Sequence, residues 1–113
     1  MRGYNLREFE ELVLLSVRMN GEEASGATIQ QVLDTEAGRA VSLGAIYTAL
    51  DRLASKRLVE SWLGDPTPVR GGRRKRHYRL TPAGIEQLSD IHRIRNSMWA
   101  KVESSPTGKE ATP

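Results

Sequence analysis

The feature that most constrains the fold of this chain is a change in its hydrophobic period. Up to Arg57 the apolar residues recur at helical spacing, but after it the chain alternates, with Val59, Ser61 and Leu63 on the side expected to be covered. Alternation is typical of a strand, because successive side chains of a strand point to opposite faces. The change therefore predicts a fold that contains both helices and strands.

Three helices are predicted before this change. The first covers residues 6–19 and ends at Asn20-Gly21, and the second follows Ser25 and ends at Gly38. The third begins after Ser42, a plausible N-cap, and continues toward Arg57 with Ile46, Leu50 and Leu53 on one face. The N-terminal half is therefore expected to be a bundle of three short helices.

A β-hairpin and a fourth helix are predicted after it. Residues 76–80 alternate again, with Tyr78 and Leu80 on one side, and the segment between the two strands is rich in proline and glycine. Thr81 is the expected N-cap of a helix that begins with Pro82 and ends near residue 103. The polar residues 104–113 are expected to be disordered.

This order of elements predicts an α+β, mostly helical fold: a winged helix-turn-helix of three helices and a two-stranded β wing, plus a C-terminal dimerisation helix. The alternative is another small α+β domain with the same element order. With 113 residues the chain has room for one compact core. We expect a winged-helix domain over residues 1–80, a dimerisation helix over 81–103 and a disordered tail over 104–113.

Positive charge is concentrated in the predicted hairpin. The chain has 17 Lys and Arg against 14 Asp and Glu, but six of these cations lie between Val69 and Leu80 with no acid among them. Arginine forks on a glycine-containing loop are suited to binding phosphate oxygens. The alternative is a solvated charged turn. The candidate DNA-binding residues of this wing are Arg70, Arg73, Arg74, Lys75 and Arg76.

The outward face of the third helix is the second candidate DNA-binding surface. A helix that enters a major groove needs small residues near its start and side chains farther along that can bind phosphates or base edges. Tyr47 could instead be partly buried, and Arg52 could simply pair with a nearby acid such as Asp51 or Glu60. The candidate residues are Ser42, Gly44, Ala45, Tyr47, Thr48 and Arg52.

Other classes of function lack support in the sequence. The chain contains no cysteine, its apolar runs are too short for a membrane span, and it begins without a signal-peptide pattern, so we expect a cytoplasmic protein. His77 and His92 lie in different predicted elements without acids at metal-ligand spacing, and no catalytic motif is found. We expect no enzyme activity, no metal site and no cofactor.

The last helix carries more apolar surface than a small domain can cover, which favours a homodimer. The alternative is that Trp99 packs back on the first helix of its own chain. The candidate dimerisation residues are Leu88, Ile91, Ile94, Met98, Trp99 and Val102.

Four blocks in order resemble the PadR-like transcriptional regulators: FEELVLL (9–15), VSLGAIYTALDRL (41–53), RGGRRKR (70–76) and YRLTPAG (78–84). The resemblance implies a winged-helix domain that binds DNA, dimerisation through the C-terminal helix with help from the first helix, and repression that small molecules relieve in some members. It also implies that residues 42–52 form the recognition helix and residues 73–76 the wing.

The chain departs from the family pattern in three places. Ser25 stands where members often have tyrosine before the glycine of the second helix. The C-terminal region is one helix where many relatives have several, and this short region gives no support for a small-molecule effector. Arg57 stands where a glycine normally ends the recognition helix, so either Arg57 adopts a left-handed conformation or the turn differs.

We therefore expect a sequence-specific regulator, a repressor that acts as a homodimer on a palindromic operator in double-stranded DNA. A protein-interaction module on the same scaffold, with the basic wing against an acidic partner, is the alternative from another class. Structured RNA is a third possibility, which the shortage of stacking aromatic residues disfavours.

Overall fold

The computed structural model describes residues 6–65 and 74–104. Four α-helices and a two-stranded antiparallel sheet follow one another in the order that the sequence predicts. The winged-helix fold is confirmed. The helices are α1 (Glu8–Asn20), α2 (Gly26–Ala37), α3 (Leu43–Ser55) and α4 (Pro82–Ser104), and the strands are β1 (Val59–Leu63) and β2 (Arg76–Leu80).

The predicted start signals cap their helices. The Oγ atom of Ser42 accepts a hydrogen bond from the N–H of Ala45 at 3.1 Å at the start of α3. At the start of α4, the Oγ1 atom of Thr81 accepts from the N–H of Gly84 at 3.1 Å. These bonds satisfy backbone donors that a helix leaves without an internal partner. Both expected N-caps are confirmed.

The core is built from aliphatic side chains of α1, α2 and α3, and the base of the hairpin and the start of α4 close it. Tyr78 is its one buried aromatic residue among those that the structure describes. A close backbone approach positions α4, since a Cβ atom on Gly84 would lie 2.1 Å from the carbonyl oxygen of Leu58. The largest fully buried side chains include Leu14, Ile29, Leu33, Ile46, Leu50 and Leu53.

The hairpin is buried at Val59 in β1 and at Tyr78 and Leu80 in β2, which confirms the expected inward side of β2 but corrects the expected alternation in β1. Val59 pairs with Leu80 and both are buried, whereas Ser61 and Leu63 are exposed although they share the face of Val59. Trp62, on the opposite face, is only half-exposed because it stacks on His77. The part of the hairpin beyond the Ser61–Tyr78 pair thus extends past the core.

Arg57 occupies the left-handed region with φ of 61°, so the first of the two alternatives for the end of α3 is confirmed. Its N–H donates to the carbonyl of Ala54 at 2.9 Å, and the next N–H, of Leu58, donates to Leu53 at 2.9 Å. Glycine adopts this conformation at little cost, whereas a side chain is strained there. The chain turns directly from α3 into β1 at this residue.

The fourth helix extends beyond the core. Of its residues only Gly84 and Leu88 are buried and Ile91 is half-buried, and all residues from 92 to 104 are exposed. Ser104, assigned to the tail by sequence, ends this helix, and the rest of the expected tail lies outside the described residues. None of the helices in the described part of the chain has the length and hydrophobicity of a membrane span.

Candidate nucleic-acid interface

The outward face of α3 is exposed, as the sequence predicts. Packing of the opposite face against the core, through Ile46, Leu50 and Leu53, fixes which side chains point outward. The six candidate residues, Ser42, Gly44, Ala45, Tyr47, Thr48 and Arg52, are all exposed.

The start of α3 is open to close approach by another molecule. A Cβ atom on Gly44 would meet only the Ser42 Oγ, at 3.9 Å, within 4 Å. The Ser42 hydroxyl itself accepts from the N–H of Ala45, so its main role in this structure is to cap the helix. The small residues expected to admit a DNA backbone therefore lie where such approach is sterically possible.

Tyr47 rests on the first residue of α2. A Cβ atom on Gly26 would lie 2.5 Å from the Tyr47 hydroxyl oxygen and 2.7 Å from its Cζ atom, so only glycine leaves room for the ring in this position. The side chain remains 43% exposed, which agrees with the partial burial considered from the sequence. Sequence reasoning did not identify Gly26 as the support of Tyr47, because that contact joins two different helices.

The hairpin is anchored beside the start of α2. The N–H of Tyr78 donates to the carbonyl of Ala24 at 3.0 Å, which holds β2 against the segment before α2. Burial raises the pKa of the Tyr78 hydroxyl, and the neighbouring Tyr47 and Asp51 raise it further while Arg76 lowers it. Tyr78 is therefore neutral at physiological pH.

An open cleft of about 570 Å³ joins the two candidate surfaces. It brings Tyr47 and Asp51 of α3 together with the cations at the start of β2. Asp51 was not among the predicted binding residues, and its carboxylate opposes phosphate but can accept a hydrogen bond from a cytosine amino group. The lining residues are Ser25, Gly26, Ala27, Tyr47, Asp51, Leu63, Arg74, Lys75, Arg76 and Tyr78.

The described cations of the wing are Arg74, Lys75 and Arg76, and all three are exposed. Arg74 donates from Nε to the carbonyl of Gly64 at 2.7 Å and from Nη2 to that of Leu63 at 3.3 Å. Arg76 donates from Nη1 to Ser61 Oγ at 3.0 Å. A guanidinium has five N–H donors, so each arginine retains donors for a phosphate. Arg70 and Arg73 lie outside the described residues.

A polar and aromatic cluster that the sequence analysis missed covers the outer face of the hairpin. The Arg79 guanidinium lies 5.1 Å above the Trp62 ring, and its Nε donates to Glu60 Oε1 at 2.7 Å. The strand register places Glu60 opposite Arg79 and Trp62 opposite His77. Arg79 is thus paired with an acid, and Glu60, considered as a partner of Arg52, binds Arg79 instead.

Most of the candidate dimerisation residues are exposed. Leu88 belongs to the core of its own chain and Ile91 is half-buried, whereas Ile94, Met98, Trp99 and Val102 are exposed. Trp99 is 63% exposed, so it does not pack on α1 of its own chain. Leu15 on α1 is also exposed.

Within the described residues, no three His, Cys, Asp or Glu side chains form a group that could hold a metal ion.

Comparisons with known proteins agree on one fold. The sequence matches the family described as the transcriptional regulator PadR-like family over residues 14–90. The structure is similar to a PadR-like transcriptional regulator from Bacillus cereus, with a TM-score of 0.67 and 24% identity over 84% of this chain and 87% of that one. No curated protein sequence matches the chain.

Two similar structures were solved with DNA. Bacillus subtilis PadR in complex with operator DNA has a TM-score of 0.64 and 24% identity, over 75% of this chain and 46% of that one. A MarR variant from E. coli, complexed with operator DNA, has a TM-score of 0.64 and 26% identity, over 86% of this chain and 61% of that one.

Proposed function

The chain belongs to the PadR-like family of transcriptional regulators, and we propose that it is a repressor that binds a palindromic operator in double-stranded DNA as a homodimer. The observation that carries this proposal is the cleft in which the exposed face of α3 and the cations of the wing adjoin. A helix and a basic hairpin on one surface can contact a major groove and the neighbouring backbone or minor groove together.

The two surfaces have different tasks in this proposal. Within α3, Thr48 and Arg52 read base edges, Arg52 being suited to guanine, and Tyr47 binds phosphate. The small residues Ser42, Gly44 and Ala45 admit the duplex. The wing contributes affinity that does not depend on sequence, because its cations bind phosphates. Its residues are Arg70, Arg73, Arg74, Lys75 and Arg76.

The partner that fits the exposed face of α4 is a second copy of the chain. Met98, Trp99 and Val102 recur at helical spacing on the face that continues from Leu88, and water would otherwise cover them. A two-fold dimer buries the same face of both copies and doubles the DNA surface that is read. In this proposal residues 1–80 read DNA, residues 81–103 dimerise, and half-sites are separated by about one helical turn, roughly 34–36 Å.

Selection of bound duplexes from a random pool tests this function. We expect a palindromic consensus and complexes with two chains per duplex in sedimentation. A pool without a consensus, together with a protein partner that survives nuclease treatment in a pull-down, would overturn the proposal in favour of a protein-interaction module. Repression is tested separately, by transcription from a promoter that overlaps the selected palindrome. Transcription that stays unchanged as the protein is added would contradict a repressor.

A further inference from the structure

Two consecutive carboxylates on α1 bind two different helices. Glu10 Oε1 accepts a hydrogen bond from Lys56 Nζ at 2.9 Å, and Lys56 is the C-cap residue of α3. Glu11 Oε1 accepts from Arg95 Nη2 of α4 at 2.7 Å. Through Glu10 and Glu11, α1 contacts both the end of the helix proposed to read DNA and the helix proposed to dimerise.

Arg95 lies in the part of α4 that does not pack against the core. Arg95 follows Leu88, the last buried residue of α4, by seven residues, or about two turns. The Glu11 side chain is 17% exposed and the Arg95 side chain 60% exposed, so water screens this ion pair less than it screens a pair in which both side chains are fully exposed. The pair therefore links the exposed part of α4 to the body of the domain.

Arg95 also interrupts an apolar face. It lies seven residues from both Leu88 and Val102 and four from Ile91, and these spacings place all four residues on one side of the helix. A cation that becomes covered when this side meets a second copy is costly unless it is paired. Because Glu11 of the same chain pairs with it, Arg95 can remain within the dimer face.

We propose that the Glu11–Arg95 ion pair fixes the angle between α4 and the DNA-reading body, and thereby sets the spacing between half-sites that the dimer accepts. This inference rests on the function proposed above and assigns a specificity-determining role to two residues that do not touch DNA. Glu10 and Lys56 complete the connection, because they hold α1 to the end of α3.

A small change of this angle alters the spacing noticeably. The part of α4 from residue 91 to 104 is about 20 Å long at the usual helical rise. A tilt of about 10° moves the end of such an arm by about 3.5 Å, roughly one base pair of B-form DNA. One base pair also rotates a half-site by about a tenth of a turn, so a dimer held at a fixed angle should discriminate between adjacent spacings.

The test uses duplexes that carry the half-sites selected by the wild-type chain, with the spacer lengthened or shortened by one and two base pairs. Binding is measured for the wild type, Arg95→Gln, Glu11→Gln and the charge swap E11R/R95E. Arg93→Gln is the matched control, because this substitution removes an ion pair with Asp90 of the same helix and leaves α1 bound to α4.

We expect the wild type and Arg93→Gln to lose about tenfold or more in affinity when the spacer changes by one base pair. Arg95→Gln and Glu11→Gln should lose less than about threefold, and the charge swap should restore much of the discrimination. Circular dichroism of each variant checks that its fold is retained.

Three results would contradict these proposals, and each result contradicts a different one. If Arg95→Gln binds every spacing with the profile of the wild type, or more weakly by one common factor, the spacing inference is overturned. If the charge swap does not restore discrimination, a direct pairing role is overturned. A wild type that selects no palindrome overturns the proposed function itself.

Discussion

Lys56 Nζ, at the C-terminal end of α3, lies 2.9 Å from Oε1 of Glu10 near the start of α1, although 46 residues separate the two in sequence. The Glu10 oxygen also accepts from the backbone N–H of Arg7 at 3.2 Å, and Glu10 is 3% exposed. Burial raises the pKa of the Glu10 carboxyl, but the hydrogen bonds from Lys56 and Arg7 together outweigh burial and lower it. The contact between α1 and α3 therefore depends on an ionised Glu10.

Glu10→Gln should destabilise the fold at neutral pH by about 1–3 kcal/mol, because the buried side chain at position 10 loses its ion pair with Lys56. A lowered pKa in the folded state stabilises the protein above the unfolded value of about 4.3 and loses this effect as the pH falls below it. The difference from the wild type should therefore shrink at about pH 3. Urea unfolding of both proteins at neutral pH and at this acidic pH measures the difference in their free energies of unfolding.

Glu8→Gln is the control for this prediction. Glu8 pairs with Arg39 on the surface and is 70% exposed, so its loss should change the free energy of unfolding by less than about 1 kcal/mol. A Glu10→Gln protein as stable as Glu8→Gln at neutral pH would contradict the role of the buried pair.

Substitution of the wing cations and of Arg52 should affect DNA binding in different ways. Replacing Arg73, Arg74 and Arg76 together by Gln should weaken binding to all duplexes and lower the salt slope by about one for each phosphate that is no longer bound. Arg52→Ala should cost about 1–3 kcal/mol and relax the preference at one base position. Anisotropy titrations on a set of single-base operator variants separate the effects, and identical behaviour of the two proteins would contradict the proposed division.

Gly26→Ala should weaken DNA binding through Tyr47. The added Cβ atom would lie 2.5 Å from the Tyr47 hydroxyl, so the ring must move from its position, and it can move without unfolding the domain because the side chain is 43% exposed. Because the effect requires the ring, Gly26→Ala should cost little further affinity in a Tyr47→Ala background. Equal losses of affinity in both backgrounds, by titration, would show that Gly26 acts independently of Tyr47.

Trp99→Glu should convert the proposed dimer to a monomer and leave the fold of each chain intact, since Trp99 is exposed within one chain and a charge in a covered apolar interface is unfavourable. Ser97→Glu is the matched control, because Ser97 is exposed and lies on the side of α4 opposite Trp99. Light scattering after size-exclusion chromatography gives the mass. A dimeric Trp99→Glu protein would place the interface elsewhere.

The features that the sequence predicted are those set by local rules. The change of period at Arg57, the caps Ser42 and Thr81, and the aliphatic face of α3 depend on residues within a turn or two of one another. The outward face of α3 followed from these features, because the residues that pack in the core determine which ones are left outside.

The features that the sequence did not predict depend on how elements meet. The cross-strand pair of Glu60 and Arg79 requires the hairpin register, and the seat of Tyr47 on Gly26 requires the angle between α2 and α3. The burial of β1 was expected to continue to Leu63 because alternation indicates which face is turned inward, not how far the core extends beneath it.

Binding of the wild-type chain to its selected palindrome, followed by anisotropy between about 50 and 200 mM salt, tests sequence-specific DNA binding by a dimer most directly. With roughly 6–10 phosphates neutralised, affinity should fall by about three to five orders of magnitude over this range. The palindrome should also bind two chains and bind at least about a thousandfold more tightly than a scrambled duplex of equal length. A salt-independent affinity, or equal affinity for the palindrome and the scrambled duplex, would contradict sequence-specific DNA binding by a dimer.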